Sequence, residues 1–196
     1  TATADLATRA DITQQLHLQQ PFIFKGSFDR PNIRYNQVTK YKATDQAIAF
    51  VKQQDGSGII YCNSRKKVDD LSIALGKHGV NCAGYHAGLE GEIRDKIQRD
   101  FIQDKIDIIV ATVAFGMGID KSNVRFVVHF DLPRSIESYY QEIGRAGRDG
   151  MPCEALLLFD EKDAARIRQW IATGENPQRN NVELQKFAAM EAFGEA

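Results

Sequence analysis

Cysteine is scarce in this sequence and follows no pattern. Among its 196 residues are three cysteines, which lie far apart and form no C-x-x-C pair: Cys62, Cys82 and Cys153. An odd number of scattered cysteines is typical of a protein in a reducing cytosol and predicts neither disulfides nor a zinc site. The histidines show no metal-ligand spacing either: His17, His78, His86 and His129. We therefore expect this chain to hold no metal.

Long apolar runs and an excess of one charge are also missing. The longest apolar stretches, such as residues 126–130, are far shorter than the roughly 18 residues that a membrane span requires. Lys and Arg together number 25 against 26 for Asp and Glu, a formal net charge of −1. This balance excludes a protein that is basic over its whole surface. Any binding of phosphate must therefore depend on a few locally placed residues.

A phosphate-binding loop of the form G-x-x-x-x-G-K-[ST] is absent from the sequence. No predicted strand ends in an Asp-Glu pair that could hold Mg²⁺ or orient a water molecule. A nucleotide-hydrolysing centre would therefore be incomplete within this chain.

Short apolar runs alternate with segments of helical periodicity along most of the chain. The strand-like runs are rich in β-branched residues and show little polar alternation, which indicates strands covered on both faces. This order predicts an α/β fold with a mainly parallel sheet flanked by helices. The predicted strands are residues 59–62, 80–83, 106–111, 126–130 and 155–159, with additional strands at 22–24 and 33–38. Terminal helices are predicted over residues 5–18 and 181–193.

The most specific motif is a glycine- and arginine-rich segment near the last predicted strand. Gln141, Arg145 and Arg148 are spaced i, i+4, i+7, so they share one helical face or its extension. Gly144 and Gly147 leave room beside them for a ligand. Planar, permanently charged guanidinium groups suit a polyphosphate. The alternative is that the arginines form ordinary surface ion pairs.

A second candidate loop directly follows the predicted strand 106–111. Thr112 offers a hydroxyl at the carboxyl end of that strand, and Gly116 and Gly118 permit a tight turn with exposed backbone N–H groups. Lys121 stands where a G-x-G-x-x-G motif needs its third glycine, which excludes a dinucleotide-binding fold here. The alternative is a glycine-rich turn without a ligand.

Two further loops are predicted at the same edge of the sheet. Asn63, Ser64 and Arg65 follow one strand, and His86 follows another. Polar and basic groups at a helix start can hold a phosphodiester backbone. The alternatives are that Ser64 is a simple helix cap and that His86 is a polar residue near the core.

Taken together, these segments resemble the second motor domain of RecQ-type DNA helicases. The resemblance covers essentially the whole chain and rests on residues 28–33, 63–65, 85–89, 112–120 and 141–150, while residues 1–5 resemble the end of a first motor domain. It implies a RecA-like three-layer lobe of the P-loop NTPase type, whose phosphate-binding loop lies on another lobe.

The resemblance also assigns expected roles to single residues. Arg148 matches the arginine finger, and Arg145 and Gln141 match its companions in sensing ATP. Gly118 and Asp120 match the loop near the ribose. The expected single-stranded DNA contacts are Asn63, Ser64, Arg65, His86 and Thr112.

The expected organisation is the end of a first lobe with a connecting helix (1–20), the RecA-like domain (21–173), and a linker with the first helix of a zinc-binding module (174–196). The resemblance implies ATP and Mg²⁺, held mainly by the first lobe, with Zn²⁺ only in the downstream module. The expected function is 3′-to-5′ unwinding in DNA repair and recombination. Expected partners are single-stranded and partially duplex DNA, the first lobe and a single-stranded DNA-binding protein, in a bacterial cytoplasm near the nucleoid. An RNA helicase lobe of the same superfamily and a non-catalytic nucleic-acid-binding module remain as alternatives.

Overall fold

The computed structural model describes residues 6–23, 30–116, 119–174 and 176–195. It divides into two compact units, Thr1–Pro31 and Asn32–Ala196. The first unit contains helix α1 (Leu6–Gln15), which lies within the helix predicted over residues 5–18. The strand predicted at residues 22–24 is wrong for its described part, because Phe22 and Ile23 form no strand. The side chain of Phe22 is 92 % exposed, so nothing covers it as a buried strand would require.

Six strands of the second unit form one sheet, in the order β1-β6-β5-β2-β4-β3, and every pairing in it is parallel. This confirms the predicted α/β class. The strands are β1 (Ile33–Thr39), β2 (Ser57–Tyr61), β3 (Cys82–Tyr85), β4 (Ile108–Ala111), β5 (Val124–His129) and β6 (Cys153–Phe159).

Two strands begin two residues later than the sequence predicts. The N–H of Val80 donates to Leu75 O (3.1 Å), and the N–H of Ile106 donates to Asp100 O (3.2 Å). Both N–H groups therefore close the end of the preceding helix and cannot join the sheet. Hydrophobicity alone does not distinguish these two uses of a β-branched residue.

Helices cover both faces of the sheet. They are α2 (Ala43–Val51), α3 (Arg65–Lys77), α4 (Gly91–Ile102), α5 (Ile136–Ile143), α6 (Glu161–Ala172) and α7 (Pro177–Glu195). Successive strand residues point to opposite faces, so Ile59 joins one buried core and Ile60 the other. One core receives side chains from α4 to α7, and the second core receives those of α2 and α3. The result is a three-layer arrangement.

The C-terminal helix α7 packs on the same core as the sheet. Phe187 and Met190 are fully buried, and the Phe193 ring lies 5.2 Å from that of Tyr139. Arg168 on α6 forms an ion pair with Glu191 on α7 at 3.3 Å. The helix starts four residues before the predicted residue 181. The expectation that it also opens a zinc-binding module stays a prediction.

No helix in the described part of the chain is both long and apolar enough to cross a membrane.

Candidate nucleotide and nucleic-acid site

Four strands end level with one another at one edge of the sheet. Tyr61 at the end of β2 pairs with Ala111 and His129, and Ala111 pairs with Tyr85. The loops that follow β2, β3, β4 and β5 therefore meet at this edge, where open parallel sheets bind their ligands. We call it the carboxyl edge.

Arg145 is held by the loop that follows β4 and by the last residue of β2. It lies two residues beyond the end of α5, and its guanidinium donates to Gly116 O and to the hydroxyl of Tyr61. The Tyr61 hydroxyl in turn donates to Phe115 O at 3.3 Å. Burial raises the pKa of Tyr61 far above its ordinary value, although Arg145 partly opposes this, so the hydroxyl stays neutral and remains a donor. The guanidinium is thus fixed over the loop that follows β4.

Arg148 lies at the surface beside Arg145. Its Nη1 donates to Ile119 O and to Asp120 Oδ1, both at 3.1 Å. The Arg148 side chain is 35 % exposed and that of Asp120 is 93 % exposed. An ion pair this exposed contributes about 0–1 kcal/mol, so a phosphate group could replace the carboxylate at little cost.

The remaining predicted nucleotide contacts are only partly described. Gln141 lies exposed on α5, one turn before Arg145. Gly118 lies outside the described residues. The structure thus brings Arg145, Arg148 and Asp120 together, and their roles stay predictions.

Gly147 shapes the turn that carries Arg148. Its φ is +56°, and a Cβ there would lie 2.4 Å from Asn32 Nδ2 and 2.6 Å from Cys153 Sγ. The Asn32 amide donates to Gly147 O (2.9 Å) and to Met151 O (3.0 Å). These bonds anchor the turn to the start of β1, a contact that the sequence pattern does not reveal.

A buried contact between His129 and Glu142 attaches α5 to the sheet. His129 Nε2 lies 2.7 Å from Glu142 Oε2, and the His129 ring stacks on Tyr61 with centroids 5.6 Å apart. Glu142 therefore fixes the end of α5 directly before Arg145. Sequence reasoning missed Tyr61, Glu142 and His129; the one signal was a polar aromatic residue ending an otherwise aliphatic strand.

The predicted DNA contacts after β2 and β3 lie on one surface. Ser64 caps α3 by accepting a hydrogen bond from Lys67 N at 3.3 Å, and Arg65 is the first residue of that helix. A Cβ at Gly88 would lie 3.0 Å from Arg65 Nη1 and 3.1 Å from His86 Nδ1. Arg65 and the His86 loop are therefore neighbours.

His86 itself is buried, and both of its ring nitrogens have partners. Nδ1 accepts from Gly88 N (3.1 Å), and Nε2 lies 3.1 Å from Asp69 Oδ1. This geometry fits the structural alternative for His86, which orders the turn after β3. Its contact with DNA stays a prediction.

Thr112 lies between the candidate nucleotide contacts and the candidate DNA contacts. Its N–H donates to Tyr85 O (3.2 Å), and its carbonyl accepts from Phe115 N (3.0 Å). Gly116, the acceptor for Arg145, lies on the same loop. The backbone of residues 112–116 therefore links the partner of Arg145 with Tyr85 at the end of β3.

Asp131 holds the loop that follows β2. Its Oδ2 accepts from Asn63 N (2.9 Å), and its Oδ1 binds the ammonium groups of Lys40 (2.8 Å) and Lys67 (2.5 Å). Lys40 also reaches Asp163 on α6 at 2.6 Å. The sequence pattern gave no sign of this network.

The network shifts the pKa values of its members. Burial raises the pKa of Asp131, but Lys40, Lys67 and the Asn63 N–H together outweigh burial and bring it below its ordinary value. Burial lowers the pKa of Lys40, but Asp131 and Asp163 raise it above its ordinary value overall. Both groups are therefore charged near neutral pH.

Replacing Gly116 should show how tightly Arg145 is held. A Cβ at Gly116 would lie 2.3 Å from Arg145 Cζ, and the φ of +143° is itself strained for other residues. We expect Gly116→Ala to lower the unfolding free energy by about 1–3 kcal/mol through backbone strain. The substitution should also break the hydrogen bonds of Arg145, which lowers stability further. When Arg145 is already replaced by alanine, Gly116→Ala should cost only the strain. The two substitutions should therefore show a coupling energy of about 1 kcal/mol in a double-mutant cycle measured by urea unfolding.

Gly79→Ala is the matched control for strain. Its φ is +79°, and a Cβ there meets nothing within 4 Å. Additive losses for Gly116→Ala and Arg145→Ala would contradict the contact.

Within the described ranges, no group of three or more His, Cys, Asp or Glu side chains is placed to hold a metal ion.

A family pattern matches most of the region that builds this edge. Residues 39–150 match the family described as helicase conserved C-terminal domain, from the end of β1 to the turn after Arg148. The chain belongs to this family. All strands from β2 to β5 and both groups of candidate residues lie inside the matched region of this helicase C-terminal domain.

Two curated relatives are similar to the helicase C-terminal domain over its whole length. It is 55 % identical to the "ATP-dependent DNA helicase RecQ" of Pasteurella multocida, covering 100 % of this chain and 31 % of that protein. It is 54 % identical to the protein of the same name from Haemophilus influenzae, covering 100 % of this chain and 32 % of that protein. The expected RecQ-type resemblance is confirmed, and the chain spans about a third of the length of these relatives.

A solved structure supports the fold. "S. cerevisiae Dbp5 bound to RNA and ADP BeF3" superposes with a TM-score of 0.71 at 19 % identity, covering 95 % of this chain and 54 % of that chain. At this identity the similarity concerns the fold alone, and it agrees with the expected RecA-like architecture.

Proposed function

We propose that this chain is the second motor lobe of a RecQ-type ATP-dependent DNA helicase with 3′-to-5′ polarity. One observation carries the proposal. Arg145 and Arg148 lie over the loop after β4, and the same loop leads back to Thr112 beside the surface of Arg65 and His86. The loop that follows β4 thus joins groups suited to phosphate with groups suited to a nucleic-acid strand.

The proposed chemistry follows from the guanidinium groups. Arg148 leaves Asp120 and binds the γ-phosphate of an ATP held mainly by another lobe, where it stabilises the charge that develops during transfer. Arg145, fixed by Gly116 and Tyr61, binds beside it. The phosphate-binding loop and the Mg²⁺ ligands come from the other lobe, because this sequence has no G-x-x-x-x-G-K-[ST] segment.

The DNA strand binds along the carboxyl edge. Asn63, Ser64, Arg65, His86 and Thr112 contact its phosphates, with helix α3 directing its N-terminus at one of them. Closing and opening of the ATP cleft changes the position of Arg145. The Gly116 to Thr112 loop passes this change to the strand, and repeated cycles move the lobe along DNA.

The wider assignments follow the resemblance to RecQ-type helicases. The longer protein acts in DNA repair and recombination in the bacterial cytosol near the nucleoid, on partially duplex DNA. A single-stranded DNA-binding protein is a partner, and a zinc-binding module follows α7.

ATP hydrolysis by the longer protein tests the proposal. We expect strong stimulation by single-stranded DNA and little by RNA of the same sequence, and no hydrolysis by the 196-residue chain alone. Equal or greater stimulation by RNA would favour the RNA helicase alternative. Binding of DNA without any hydrolysis by the longer protein would favour a non-catalytic module.

A further inference from the structure

An arginine stacks on an exposed indole near the carboxyl edge. Arg134 Cζ lies 4.0 Å from the centre of the Trp170 ring. Arg134 is exposed, and Trp170, the only tryptophan in the sequence, is 55 % exposed. No carboxylate of the described residues forms an ion pair with Arg134. We call this pair the Arg134–Trp170 platform.

A series of short contacts runs from the predicted DNA contacts to Arg166 on α6, one helical turn before Trp170. Asn63 N donates to Asp131 (2.9 Å), Asp131 binds Lys40 (2.8 Å), and Lys40 binds Asp163 (2.6 Å). Asp163 in turn binds Arg166 at 3.1 Å. The face of α6 that carries Asp163 and Arg166 is therefore next to the loop that carries Asn63.

The platform lies at the far end of this series. Trp170 is one helical turn after Arg166 on α6, so the two side chains share a face. Arg134 is three residues after Asp131 on the loop that leaves β5. The platform therefore extends the carboxyl edge beyond Asn63 and is separate from Arg145 and Arg148.

The chemistry of the platform suits one class of ligand. Bases of single-stranded nucleic acid stack on aromatic rings and on planar guanidinium groups, while Arg also binds the adjoining phosphate. Arg134 already lies on the indole, so an incoming base would add the next layer. Arg166, whose side chain is mostly exposed, adds a second positive charge one turn away.

We propose that the Arg134–Trp170 platform is a further binding surface for single-stranded nucleic acid. The platform stacks one base and binds the phosphate of that nucleotide. The platform binds the part of the nucleic-acid strand that lies beyond Asn63, so this inference rests on the proposed function. A protein segment packed on Trp170 fits the surface less well, because the larger exposed side chains near it on α6 are polar: Arg166, Arg168 and Gln169.

Trp170 supplies its own reporter, because the chain contains no other tryptophan. We expect an oligothymidylate of about ten nucleotides, within the usual site sizes, to quench Trp170 fluorescence in the 196-residue chain at low salt. Anisotropy of a labelled copy of the same oligonucleotide then gives the affinity of each variant. Arg134→Ala and Trp170→Ala should each weaken binding roughly 5- to 150-fold.

Three further variants separate stacking from charge and from folding. Arg134→Lys should keep the salt dependence but lose most of the affinity, because a lysine has no planar group to stack. Trp170→Phe should recover part of the affinity lost in Trp170→Ala. Arg99→Ala removes the same charge from the end of α4 and should leave affinity unchanged.

The possible results distinguish this proposal from the proposed function. If Arg65→Ala weakens binding while Arg134→Ala and Trp170→Ala do not, the platform is overturned and the predicted strand contacts stand. If DNA neither binds nor changes the fluorescence, both are overturned. If Trp170→Ala destabilises the longer protein but leaves its DNA affinity unchanged, Trp170 is a packing contact and the platform is overturned.

Discussion

Arg148→Ala should lower the DNA-stimulated turnover of ATP by the longer protein roughly 10³- to 10⁵-fold, the usual effect of losing an arginine finger. The structure supports a large effect on chemistry with little effect on folding. The partners of Arg148 are one backbone carbonyl and the exposed carboxylate of Asp120. We therefore expect the melting temperature to stay unchanged and DNA affinity to remain within a few-fold.

Two comparison variants make this result specific. Arg148→Lys keeps the positive charge but loses the planar donors, so it should remain severely impaired. Arg179→Ala is the matched control, because Arg179 also forms one exposed ion pair, with Glu183 on α7. Near-normal turnover in Arg148→Ala, measured by steady-state phosphate release, would refute the assignment of the finger.

Asp131→Asn should be strongly destabilising. The Asp131 side chain is 1 % exposed and neutralises two ammonium groups, so its loss leaves Lys40 with Asp163 alone. Breaking a buried ion pair costs about 3–5 kcal/mol, and we expect about 3 here because Lys67 can reach water. Urea unfolding of the 196-residue chain at about pH 7 measures the loss.

The same variant should change how stability depends on pH. Because the pKa of Asp131 is lowered on folding, its contribution is fully present above the ordinary carboxyl pKa and is lost as the pH falls through the lowered value. The pKa of Lys40 is raised, so its contribution is lost only as the pH rises through that raised value. The difference between Asp131→Asn and the parent chain should therefore shrink as the pH falls below the ordinary carboxyl pKa.

Two other carboxylates serve as controls for Asp131. Asp70→Asn changes an exposed carboxylate on α3 and should alter stability by no more than about 0.5 kcal/mol. Asp163→Asn removes the other partner of Lys40 but leaves the Asn63 loop attached to Asp131. Only Asp131→Asn should therefore also weaken DNA binding. A loss of affinity as large in Asp163→Asn would show that the loop is not held by Asp131.

Local features of the sequence sufficed for most of the fold. Apolar runs rich in β-branched residues located strands β1 to β6, and regular apolar spacing located the helices between them, because both patterns depend only on which side chains are buried. Apart from the strand predicted at residues 22–24, the errors occur at the boundaries of elements. Val80 and Ile106 are apolar enough for a strand, yet their N–H groups complete hydrogen bonds of the preceding helix.

Candidate site residues were also accessible from the sequence, since Arg, Gly and polar residues after predicted strands stand out by type and spacing. Because parallel strands end at one edge, the sequence alone determined that residues 63–65, 86 and 112 lie at one edge of the sheet. Only the tertiary structure decided what holds them there. Tyr61 and Asp131 reach their partners across 54 to 91 residues, and Glu142 reaches His129 across 13. Such contacts leave no periodic trace in the sequence. The Arg134–Trp170 platform likewise joins the loop after β5 with helix α6, because packing of α6 against the sheet, rather than any local preference, brings the two side chains together.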